Sequence, residues 1–152
     1  MPEGVYFNGP FSITGWFYAR ESRFYSRFVD IGSTTGKPNI YLSIYSGADP
    51  TPYIRINNDG VGLNRIISGL KFNLTDWTLI AAAFNATNLK LFMNGKLVGE
   101  CQAEVPFNVT RANNFIGKSW SPSDKYANAI FDEVRFYNRD LSVGEIEALM
   151  SF

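Results

Sequence analysis

The residues able to make or break bonds are few. The chain has no histidine and a single cysteine, Cys101. Without an imidazole, Ser-His-Asp and Cys-His nucleophile systems are excluded. His-ligated zinc and iron are excluded too, and one thiol cannot build a thiolate cage. One cysteine forms no internal disulfide, and Cys101 reads as a structural residue. Carboxylate pairs remain. A retaining glycosidase holds two carboxylates about 5–5.5 Å apart across a cleft, and on a strand two acids share a face only at even spacing. Adjacent Asp132-Glu133 fails that test, and Glu145/Glu147 falls in a helical segment. The acids are too scattered to cooperate, so no enzyme is expected.

Binding chemistry is better supplied. A pyranose presents C–H bonds that stack on an aromatic face, and Tyr41, Tyr45, Tyr53, Trp120 and Tyr126 are the candidates. In Ile40–Tyr45 the alternation makes Ile40, Leu42 and Ile44 the core set, leaving Tyr41, Ser43 and Tyr45 to face out or line a groove. Trp120 sits among Lys118, Ser119, Ser121 and Pro122, a loop composition. It reads either as a contact residue or as a local packing cap. Trp16 and Trp77 lie inside strands and are expected in the core.

The elements that must position these residues are strands. Phe11–Tyr18, Phe28–Ile31, Ile40–Tyr45, Tyr53–Ile56, Trp77–Phe84, Leu89–Met93, Lys96–Cys101, Asn113–Gly117 and Ala129–Tyr137 are short, aromatic and β-branched runs. Turn residues separate them, and Asn94-Gly95 is the strongest hairpin signal. The tail changes period. Ser142 with Glu145 three residues on forms a capping box before Val143, Ile146, Leu149 and Met150, which predicts one short amphipathic helix. Many short strands and one helix predict an all-β, two-sheet antiparallel jelly-roll sandwich. With 152 residues and no linker or repeat, residues 1–152 read as one domain.

Charge narrows the partners. Fourteen Lys and Arg balance fourteen Asp and Glu, with no basic cluster, so nucleic acid is not expected. No apolar run approaches a membrane span, and Met1-Pro2-Glu3-Gly4 does not read as a signal peptide. The chain reads as a piece of a longer protein. Asn73-Leu74-Thr75, Asn85-Ala86-Thr87 and Asn108-Val109-Thr110 are glycosylation sequons, mild support for an extracellular or cell-surface glycoprotein.

Three segments carry a family resemblance. Phe11-Ser12-Ile13-Thr14-Gly15-Trp16 resembles the F-T-I-S-x-W strand of the laminin-G-like and pentraxin-like concanavalin-A jelly rolls. Trp77 through Gly99 is similar to that family's hairpin, which closes on N-G. Phe131-Asp132-Glu133-Val134-Arg135-Phe136-Tyr137-Asn138-Arg139-Asp140-Leu141-Ser142, with Glu145-Ile146, resembles its I-D-E-V-R-I-Y-N-R-A-L-S-x-x-E-I close. The three lie in register over nearly the whole chain. Only Gly4–Phe7 stands where the family often has an extra first strand, so a strand-completing neighbour is expected as one kind of partner.

The resemblance implies a recognition or adhesion module for glycan or protein. The alternative is an accessory domain in a larger assembly with no ligand of its own. It also implies calcium as the one cofactor to consider. In some relatives the residue matching Asp132 ligates a structural calcium, and strict alternation would put Asp132 on an apolar face with Ile130 and Val134, where an acid needs a partner. Asn57, Asn58, Asp59 and Asn64 form an oxygen-rich loop where such modules often place a rim calcium. Turn chemistry alone also explains that loop.

Overall fold

The computed structural model describes residues 1–62 and 66–151, with the backbone alone for 66–68. The strands are β1 Gly4–Val5, β2 Phe11–Ala19, β3 Arg27–Ser33, β4 Asn39–Ser43, β5 Tyr53–Asn57, β6 Ile66–Ser68, β7 Trp77–Phe84, β8 Asn88–Met93, β9 Lys96–Gln102, β10 Thr110–Ile116 and β11 Ala129–Tyr137. Helix α1 spans Val143–Ala148, followed by a 3-10 turn, Leu149–Ser151.

The strands form two antiparallel sheets. One has the order β1-β10-β3-β4-β5-β6, the other β11-β2-β7-β8-β9. This is the jelly-roll sandwich that the strand pattern predicts. Its core lies between the sheets. Phe28, Ile31, Ile40, Leu42, Ile54 and Ile56 from the first sheet meet Phe11, Ile13, Phe17, Ile80, Ala82, Phe84, Leu89 and Leu91 from the second. Alternation dictates this, because every second side chain of each strand turns inward. The ring pairs Phe11–Phe84, at 5.5 Å, and Phe17–Phe72, at 4.9 Å, are among its contacts.

Bulges interrupt the alternation where it matters. In β3 the register slips by one residue between Arg27 and Val29. Phe28 and Val29 therefore both enter the core. Arg27 and Asp30, three apart, would take opposite faces of a regular strand, but here they share the outer one. In β11 the slip falls between Asp132 and Arg135, with Glu133 at φ 50°. Phe131, Val134 and Phe136 then pack on the core, while Asp132 pairs beside outward-facing Trp16.

The helix forms as its sequence predicts. The Ser142 hydroxyl accepts from the Glu145 N–H, and the Glu145 carboxylate accepts from the Ser142 N–H. Its Ile146 packs with Leu141 on Ala81, Ala83 and Phe92, covering one end of the second sheet's outer face. The small alanines of β7 let the helix approach. The other end of that face stays uncovered, and there the expectation for Trp16 and Trp77 is corrected. Both point outward, Trp16 half-buried and Trp77 45% exposed. They belong to the outward set of β2 and β7, paired as Trp16↔Leu79 and Tyr18↔Trp77.

Two buried side chains fix the chain around these sheets: Arg111, which the sequence pattern did not single out, and Asn58, which it offered only as a calcium ligand. Arg111 is fully buried, and its guanidinium donates to the carbonyls of Tyr6 (2.9 Å), Ile31 (3.2 Å), Phe107 (3.3 Å) and Pro38 (3.5 Å). Burial pulls its pKa down to about 10. Asn58 donates to the Val105 carbonyl and accepts from the Phe107 N–H, clamping the segment before β10.

Candidate functional site

The outer face of the first sheet carries the site. Register sets rows of side chains across it: Arg27, Ser43, Tyr53; then Asp30, Tyr41, Arg55; then Asn39 and Asn57. The loop between β10 and β11 folds over one edge of these rows and brings Ser119, Trp120 and Asp124. Together they bound a groove of about 670 Å³ that also reaches Lys37 and Asp59. That volume suits a small ligand.

The floor is a charged network. Arg27 donates to Asp124 Oδ2 at 2.8 Å, to Ser43 Oγ at 2.8 Å and to Tyr53 Oη at 3.0 Å. Its guanidinium lies 4.1 Å from the Tyr41 ring centroid, a cation–π contact. Asp30 is 1% exposed. Its Oδ1 accepts from Asn39 Nδ2 at 2.8 Å, and its Oδ2 accepts from the Trp120 N–H at 3.0 Å and from Ser119 Oγ at 3.4 Å. The single Ser119 hydroxyl proton is shared unequally, the nearer acceptor being Asp124 Oδ2 at 2.7 Å. Burial pushes the Asp30 carboxyl above its ordinary range, against the lowering effect of the Trp120 N–H, Asn39 and Arg27. Burial likewise raises Tyr53.

Trp120 rests on Gly36. A Cβ on Gly36 would stand 1.8 Å from the indole, and Gly36 holds φ 89°, so only glycine serves there. The two readings of Trp120 are therefore compatible, since it caps a turn and its exposed part lines the groove.

Of the aromatic candidates, Tyr41, Tyr53 and Trp120 converge on this groove. Tyr45 does not. Strand β4 ends at Ser43, the alternation ends with it, and Tyr45 turns into the core at 1% exposure. There it packs on Phe72 and donates to the Glu21 carbonyl, and burial raises its pKa to about 12. Tyr126 is 67% exposed and stands outside the groove lining, 5.9 Å from Lys118. The residues missed from sequence are Arg27, Asp30 and Asp124. Only the fold joins them, and the β3 bulge that turns Arg27 outward leaves no mark in the alternation. Their meeting corrects the expectation that the acids stay scattered. Asp30 and Asp124 share the Ser119 hydroxyl on one side of the groove, and Arg27 ties both.

The calcium expectations rest on Asp132 and on the loop holding Asn57, Asn58 and Asp59. The β11 bulge makes Asp132 exposed rather than a buried acid, and its Oδ1 accepts from the Glu133 N–H. The N-terminal strand pairs with β10 in the other sheet, and Phe7 just after it packs against Phe136 of β11, the rings 6.2 Å apart. Asn58 spends both amide atoms on backbone, and Asn57 bonds Asn39 and the Asp59 N–H. Asn64 lies outside the described residues. Among the described residues no three acids, cysteines or histidines gather as a metal cluster.

The family model Laminin_G_3, of the concanavalin A-like lectin/glucanases superfamily, matches residues 2–147. The chain belongs to this superfamily. No curated protein matches it at the level of sequence. Solved structures share its fold. The CBM40 domain of the Ruminococcus gnavus IT-sialidase, bound to alpha2,3 sialyllactose, superposes with TM-score 0.77 at 15% identity, over 93% of this chain and 83% of that one. Domain 4 of AbnA, an extracellular arabinanase from Geobacillus stearothermophilus in complex with arabinotriose, gives 0.73 at 17% identity, over 99% and 70%. The heptameric SAP-like pentraxin from Limulus polyphemus gives 0.73 at 12% identity, over 99% and 71%. This concanavalin A-like domain therefore shares its sandwich with carbohydrate-binding modules.

Proposed function

We propose that this concanavalin A-like domain is a non-catalytic glycan-recognition module that holds its sugar in the groove over Arg27, Asp30 and Asp124. The observation that carries the reading is the 39% exposed Trp120 set with Lys37, Arg55, Asn57 and Asp59 in one open trough, over the nearly buried rings of Tyr41 and Tyr53. Sugar rings need both surfaces, because their C–H faces stack on aromatic rings while their hydroxyls exchange hydrogen bonds with polar side chains. The sialyllactose and arabinotriose held by two fold relatives support this class of ligand.

The carboxylates support binding rather than hydrolysis. Asp30 is buried with both oxygens accepting from protein donors, and Asp124 is bound to Arg27 and Ser119. The module works outside the cell, as part of a larger protein. The exposed asparagines of all three sequons support that setting, and no helix among the described residues is long and apolar enough to cross a membrane.

A glycan array, followed by titration of its hits with chelator present, tests the proposal. Saturable binding that survives chelation and produces no hydrolysis is expected. Silence across the array, or turnover of a bound glycan, would refute it.

A further inference from the structure

The uncovered end of the second sheet's outer face holds a separate cavity of about 420 Å³, lined by Trp16, Trp77, Asp132 and Glu133. We infer that this cavity is a second binding site and takes an alkylated ammonium group. Every lining residue attracts positive charge. The indole faces are negative by their quadrupole, and indole is the strongest neutral partner for a cation. The two carboxylates carry formal charge. Arg135 pairs with Glu133, so it offsets one of them. Among the described residues Asp132 has no ion-pair partner, and its Oδ1 takes only the Glu133 N–H. The net charge at the rim is thus negative.

The fold builds this arrangement. The bulge in β11 sets Asp132 opposite Trp16 and gives the chain its extra residue at Glu133. Register sets Trp77 opposite Tyr18, the rings 5.7 Å apart. The helix on the same sheet packs on Ala81 and Ala83 and the turn after it brings Leu149 beside Trp16, while Trp77 stays 45% exposed. Methyl groups on nitrogen suit an exposed indole beside an acid, being apolar and cationic at once. The cavity lies on the opposite sheet from the groove, so it stands or falls independently of the glycan reading.

The test is titration with choline, followed by the side-chain N–H resonances of the three tryptophans. Trp16 and Trp77 should shift and Trp120 should not. The uncharged isostere of choline, with carbon in place of nitrogen, should bind about tenfold more weakly. Asp132→Asn should weaken choline severalfold, and Trp77→Ala should abolish the shift at Trp16, with melting temperatures close to wild type. Shifts confined to Trp120, equal binding of the isostere, or choline binding unaffected by Asp132→Asn would each overturn the inference.

Discussion

Arg27 and Asp124, 97 residues apart in sequence, form a 2.8 Å ion pair with both side chains about nine-tenths buried. That contact fastens the loop carrying Trp120 to the sheet carrying Tyr41 and Tyr53. Removing one partner of a buried pair strands the other, at a cost of about 3–5 kcal/mol. Arg27→Ala should therefore lower stability by about that much in denaturant unfolding and loosen the loop. A loss no larger than that of an exposed pair, below about 1 kcal/mol, would show that the network holds nothing.

Asp30 sets a pH dependence. Its folded pKa lies above the ordinary aspartate value of 3.8 because burial disfavours the charge. Its favourable contribution is full below the unfolded pKa, where both states are protonated, and is lost as pH rises through the folded pKa. The stability of wild type relative to Asp30→Asn should fall across that window, as measured by denaturant unfolding at stepped pH. A difference that grows with pH there would mean that the charge is favoured by folding. Arg27→Ala should move the Asp30 titration higher still, since Arg27 lowers it.

Gly15 faces the core where β11 bulges. A Cβ there would lie 2.6 Å from the Phe28 ring, 3.1 Å from Val134 Cα and 3.3 Å from the Asp132 carbonyl oxygen. Gly15→Ala should cost about 1–3 kcal/mol by overpacking. A neutral substitution, read from the midpoint of thermal unfolding, would show that β11 can move aside freely.

Asp132→Ala should leave the melting temperature within about a degree of wild type, and neither calcium nor chelator should move it. A fall of several degrees, or stabilisation by calcium, would place a metal at that strand.

Much of this molecule was legible in its residues. Strands such as Ala129–Tyr137, the Asn94-Gly95 hairpin and the Ser142/Glu145 capping box follow from patterns a few residues long. The same alternation put Tyr41 on the outer face of its strand, where it is nearly buried under Arg27. What escaped depended on interruptions of period two. The β3 bulge turned Arg27 outward, the β11 bulge exposed Asp132, and the end of β4 sent Tyr45 inward. A one-residue bulge costs no composition signal, yet reverses every face beyond it. Trp16 and Trp77 were misplaced for another reason. Hydrophobicity argues burial, but the helix packs on Ala81 and Ala83, and only Leu149 at its end comes beside Trp16. The Asp30–Ser119–Asp124 cluster joins residues up to 94 apart, and only tertiary structure assembles it.

The central claim concerns where a glycan sits. Backbone and side-chain resonances followed during titration with an array-selected glycan locate it directly. The account predicts shifts centred on Tyr41, Tyr53, Arg55 and Trp120, and loss of binding in Trp120→Ala with the fold retained. Shifts centred elsewhere, with Trp120→Ala binding as wild type, would contradict it.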